Sequence, residues 1–93
     1  MNEDDLGEAL RALGHPDRRA FIRECRDGER SAGDLAEVSR LSLPSVSEHL
    51  KVLRKSGLLI LDRRGRHWMY RTDPARLIAV SRAVSELGGS DGA

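Results

Sequence analysis

Between Leu41 and Leu59 the chain reads LSLPSVSEHLKVLRKSGLL, and its polar residues come in a definite order. Ser42, Pro44, Ser45 and Ser47 are short, Glu48 and His49 follow, and Lys51, Arg54 and Lys55 come last. On a helix, short side chains at the start permit close approach to a ridged polar surface, and backbone N–H groups there can meet phosphate. A carboxylate such as Glu48 can accept a hydrogen bond from the amino group of cytosine in a major groove. The bases further along suit backbone phosphates better than base edges. Each residue also has an ordinary alternative. Ser42 and Ser45 serve equally as caps, Glu48 as a solvated charge, and His49 as a packed histidine between core and surface. A carboxylate opposes a polyanion, so a Glu48 that faces DNA acts as a filter on sequence.

The other reactive side chains are sparse. Cys25 is the one cysteine, which excludes an intrachain disulfide framework and a Cys-pair zinc site. His15, His49 and His67 are scattered and fall short of a metal constellation. No Ser-His-Asp arrangement, glycine-rich phosphate loop or carboxylate pair is discernible, so an enzyme is not expected, and neither is a cofactor or a metal. The chain has 93 residues and a net charge of +1. Residues 1–50 carry seven Arg against eleven acids, net −4, whereas residues 51–93 carry nine bases against four acids, net +5. That asymmetry suits a polyanionic partner for the second half. With no apolar run long enough for a bilayer and no secretory pattern, a cytoplasmic location is expected.

These residues need elements to position them. Residues 1–5 read as a frayed acidic lead-in. Leu6, Ala9, Leu10 and Leu13 follow helical spacing, with Gly14 as a left-handed stop. Pro16 opens a second helix whose apolar side is Phe21, Ile22 and Cys25 and which ends at Asp27-Gly28. Ser31 and Asp34 have capping-box spacing for a short helix bearing Leu35, Ala36 and Val38. Ser39-Arg40-Leu41 is a tight turn, and Ser42 caps the helix described above, whose apolar face is Leu43, Val46, Leu50 and Leu53. Leu58 to Leu61 and His67 to Thr72 read as the strands of a hairpin, with Asp62 to Arg66 between them. Arg63, Arg64 and Arg66 concentrate charge at its tip, where they can touch phosphates or enter a minor groove. Trp68 and Tyr70 read as packing for the hairpin rather than a base-stacking platform. Asp73-Pro74 starts a last helix bearing Leu77, Val80, Val84 and Leu87. The expectation is a mainly α fold with one β-hairpin, in the order α-α-α-α-β-β-α. It makes a single winged helix-turn-helix domain over residues 6–87, with flexible termini at 1–5 and 88–93.

Three segments, ALRALGHPDRRAFI, DLAEVSRLSLPSVSEHLKVLRKSGLL and RRGRHWMYR, resemble the ArsR/SmtB-type family of bacterial winged-helix transcriptional repressors. The resemblance implies a homodimer formed by the first and last helices. It also implies a recognition helix at residues 42–55 in adjacent major grooves of a pseudo-palindromic operator, with repression relieved by a signal. Metal-sensing members carry a Cys-x-Cys element in the helix before the recognition helix, where this chain has Asp34-Leu35-Ala36-Glu37-Val38. Others use Asp and His pairs on the last helix, where residues 74–87 offer Glu86 and no histidine. Redox-sensing members use two cysteines, and Cys25 is alone.

The apolar stripes themselves argue for a dimer. A chain this small buries only roughly 60–65% of its unfolded surface. Leu6, Leu10, Leu13, Leu77, Val80, Val84 and Leu87 together exceed what its core can hide, so they are expected at a dimer interface. Two alternatives stay open at this point. One is a winged-helix module that acts through a protein partner. The other is a regulator that senses metal or thiol oxidation through a non-standard site.

Overall fold

The computed structural model describes residues 1–89 as five helices and one antiparallel hairpin: α1 (Glu3–Leu13), α2 (Pro16–Glu24), α3 (Ala32–Ser39), α4 (Leu43–Lys55), β1 (Leu59–Arg64), β2 (His67–Thr72) and α5 (Pro74–Leu87). Local hydrogen bonds explain where the helices start. Asn2 accepts from the Asp5 N–H at 2.7 Å, so the acidic lead-in is not frayed up to residue 5. Glu3, Asp4 and Asp5 instead form the first turn of α1, where their charge favours the helix dipole. His15 caps α2 through Nδ1, ahead of Pro16 at the first helical position. Ser31 and Asp34 form a reciprocal capping box on α3. Ser42 caps α4 and Asp73 caps α5.

Helix ends depart more from expectation. Gly14 is right-handed at φ −69°, so α1 stops without a left-handed residue. α2 ends at Glu24, before Asp27-Gly28, with Cys25 as a right-handed C-cap at φ −85°. The turn between α3 and α4 is made by Arg40, left-handed at φ 61°. After α4, Gly57 sits at φ 78°, and a Cβ there would lie 2.8 Å from Arg76 Nε. That guanidinium donates to the Ser56 carbonyl at 3.0 Å, and the left-handed backbone of this turn is what calls for glycine.

The core gathers Phe21 from α2, Leu35 from α3, Val46, Leu50 and Leu53 from α4, and Leu58 just before β1. Leu43 belongs to the expected apolar face of α4 but is 55% exposed, because the first turn of α4 projects beyond that core. Val38 is likewise exposed at the end of α3. Leu6 and Val80, expected between subunits, are buried within this one. β1 pairs with β2 from Leu59↔Thr72 to Arg64↔His67, so Asp62, Arg63 and Arg64 are strand residues and the turn is only Gly65-Arg66. Arg30 and Tyr70 exchange backbone hydrogen bonds of 3.0 and 2.8 Å, which fastens the hairpin root beside the start of α3. Gly88 caps α5, and residues 90–93 of the expected flexible tail lie outside the described residues.

Candidate nucleic-acid interface

With Val46, Leu50 and Leu53 inside, α4 turns Ser42, Pro44, Ser45, Ser47, Glu48, Lys51, Arg54 and Lys55 to solvent. Ser42 Oγ accepts the Ser45 N–H at 3.3 Å and donates to Ser45 Oγ at 3.0 Å. Ser42 is therefore spent as a cap, while the Ser45 hydroxyl proton is left to point elsewhere. Pro44 has no N–H and that of Ser45 is taken. Anion binding by backbone at this helix start thus rests on the Ser42 and Leu43 N–H groups at most, which shifts much of the work to side chains. Exposed Leu43, which helical spacing places on the core face, adds an apolar surface of the kind that meets a thymine methyl group.

His49 does not share that exposure. Its Nδ1 accepts from Arg18 Nε at 3.3 Å, its ring centroid lies 4.5 Å from that of His15, and Phe21 meets it edge-on at 6.0 Å. Burial, with His15 and Arg18 beside it, pushes its pKa below the ordinary histidine value. His49 thus packs α4 against α2 and is half-buried among its neighbours. Two of the three histidines that look scattered in sequence are neighbours in space, whereas His67 stands apart on the exposed hairpin.

On the wing, Arg63, Arg64 and Arg66 are all exposed but differently engaged. Arg63 lies over the Trp68 ring, 4.5 Å from its centroid, as its cross-strand partner. Arg64 forms an ion pair with Glu29, and Arg66 occupies the turn. Tyr70 is buried at the wing root, so it packs the hairpin as expected, but Trp68, two residues away on the same face, remains half-exposed beneath Arg63. At the far end of α4, Lys55 pairs with Glu8 at 3.7 Å. Lys51, Arg54 and Lys55 rim an open groove of about 470 Å³ floored by Leu59 and Leu61. Glu29 and Glu8 are ion-pair partners of these bases that no local pattern reveals.

Outside this surface, Leu10, Ile78, Val84 and Leu87 are 42%, 52%, 44% and 73% exposed along α1 and α5, and Leu13 and Leu77 are partly buried. Cys25 is buried, and that burial pushes its thiol up to about 11, which opposes thiol sensing because the thiolate is the reactive form. Among the described residues no helix is long and apolar enough to cross a membrane.

A family model described as a helix-turn-helix domain matches residues 13–62, which run from the end of α1 into β1. The chain is 38% identical over 86 residues to the HTH-type transcriptional repressor SmtB of Mycobacterium tuberculosis, covering 91% of this chain and 64% of that protein. It therefore spans slightly less than two thirds of that relative's length. Among solved structures it superimposes with a TM-score of 0.85 on an ArsR-like transcriptional regulator from Rhodococcus sp. RHA1, at 27% identity over 91% of this chain and 78% of that one. A homodimeric winged helix-turn-helix DNA-binding domain from Mycobacterium bovis matches with a TM-score of 0.73 and 26% identity, over 95% of this chain and 84% of that one. The exposed polar face of α4, the arginine-bearing wing and these likenesses agree, and the chain belongs to the ArsR/SmtB-type family of winged helix-turn-helix transcriptional regulators.

Proposed function

We propose that the protein is a cytoplasmic, homodimeric, sequence-specific DNA-binding repressor. α4 enters the major groove, where Ser45, Ser47 and Glu48 face base edges and Lys51 and Arg54 face phosphates. Arg63 and Arg66 meet the backbone or minor groove beside it, and Arg64 joins them only when Glu29 releases it. The exposed apolar stripe of α1 and α5 is the dimer contact, built on Leu10, Ile78, Val84 and Leu87, with Leu13 and Leu77 at its base. Two subunits so joined present two α4 helices to adjacent major grooves of a pseudo-palindrome.

The observation that carries this reading is the division of α4, whose buried face is wholly apolar from Val46 onward and whose exposed face is polar and ends in bases. Selection of genomic DNA fragments by the purified protein tests it. The retained fragments should share an inverted repeat, and Ser45→Ala or Glu48→Gln should change the preferred base pair at one position by roughly 1–3 kcal/mol. Absence of salt-dependent binding to any fragment, together with a stoichiometric protein partner in pull-down, would replace this reading with a protein-interaction module.

A further inference from the structure

We infer that His15, Asp17 and His49 form a binding site for a divalent transition-metal ion of the Zn²⁺ or Co²⁺ type, joining the start of α2 to the recognition helix. One ligand atom from each of the three residues lies within 4.8 Å of the others, and all three residues are half-buried. His15 Nδ1 and the Asp17 carboxylate are 3.9 Å apart, and the two imidazole rings have centroids 4.5 Å apart. Two ligand atoms bound to one Zn²⁺ at about 2.1 Å in a tetrahedron stand about 3.4 Å from each other. The cluster therefore closes on an ion by side-chain rotation of an ångström or so, without moving a helix.

Two imidazoles and a carboxylate are the donor set that borderline divalent ions favour, and they leave at least one position for water. A cationic donor already sits at the edge of the site. The Arg18 guanidinium donates to His49 Nδ1 at 3.3 Å, so that nitrogen carries a lone pair, and the same group is also tied to the Arg11 and Ala12 carbonyls at 3.1 and 3.5 Å. Those carbonyls hold Arg18 in place when an ion takes over the His49 lone pair. His15 Nδ1 in turn exchanges the Asp17 N–H, its capping partner at 3.2 Å, for the ion. The ligands come from the N-cap and first turn of α2 and from α4, neither of which is where the family resemblance would put a metal.

The test uses the whole purified chain without DNA, so its outcome is independent of the DNA-binding reading. Zn²⁺ is titrated in while the histidine ring protons are followed by NMR. One equivalent should shift the His15 and His49 signals and leave His67, the internal control, in place. Asp17→Asn and His15→Gln, each checked for an unchanged far-ultraviolet spectrum, should each weaken Zn²⁺ by about tenfold or more. Arg18→Gln, which removes the competing cation, should tighten it, a response that a purely structural role for these residues would not produce. Co²⁺ should give the visible bands of a nitrogen-and-oxygen site. The inference is overturned if one equivalent of Zn²⁺ is not taken up, if His67 shifts along with the other two, or if Asp17→Asn binds as tightly as the parent chain.

Discussion

Replacing Arg66 by alanine separates a phosphate contact from a base contact by its effect on salt dependence. Six bases lie on the exposed face of α4 and on the wing: Lys51, Arg54, Lys55, Arg63, Arg64 and Arg66. Lys55 is paired with Glu8 and Arg64 with Glu29, leaving four without an ion pair among the described residues. If each of the four neutralises one phosphate, the slope of log affinity against log salt is about −3.6 per subunit, at about 0.9 per contact. Raising salt from about 50 to about 200 mM then weakens binding about 150-fold per subunit, and about 40-fold in Arg66→Ala, whose slope falls to about −2.7. Glu29→Gln works in the opposite sense. It releases Arg64 to a fifth phosphate, so the slope steepens to about −4.5 and affinity at low salt rises. Fluorescence anisotropy of a labelled operator fragment across a salt series measures all three proteins. Parallel lines for the parent and Arg66→Ala would refute the phosphate contact even if affinity fell. A Glu29→Gln line that coincides with the parent would refute the claim that the ion pair holds Arg64 back from DNA.

Leu50→Ala removes a fully buried side chain from the centre of α4 and should cost about 2–5 kcal/mol in urea unfolding at equilibrium; a cost well below that would mean the core collapses around the gap. The Asp34 carboxyl is held below its ordinary 3.8 by the Ser31 N–H and hydroxyl. Because the folded value is the lower one, its contribution is complete above pH 3.8 and is lost as pH falls through the folded value, and Asp34→Asn should remove that acid step from thermal melts. Cys25, with its thiol near 11, should resist a thiol reagent at pH 8 in the native protein and react promptly once denaturant is added. Rapid labelling of the folded chain would overturn that placement.

The elements that proved legible share one property, which is that their stabilising contacts span few residues. Ser31 with Asp34, Ser42 with Ser45 and His15 with Asp17 are bonded within two or three positions, and Val46, Leu50 and Leu53 repeat at helical spacing. The hairpin was visible for the same reason, although its turn is tighter than the run of arginines implies. Helix ends were less legible. Gly14 does stop α1, but with a right-handed backbone, and α2 stops at Glu24 with right-handed Cys25 as its cap, ahead of Asp27-Gly28.

The sequence by itself thus determined the order of elements, the caps of α3, α4 and α5 and the polar face of α4, since propensity, capping and periodicity act over a few residues. Only tertiary structure decided which apolar residues the subunit keeps for itself, taking Leu6 and Val80 into the core and leaving Leu43 and Leu10 outside. It also decided which charges are already engaged. Arg64 reaches Glu29 across 35 positions and Arg18 reaches His49 across 31, bringing His15 and Asp17 alongside. Such partners have no fixed spacing in the chain. They meet because burial of the α4 face against α2 and α3 sets the helices at one geometry, and the side chains at their edges take the neighbours that geometry supplies.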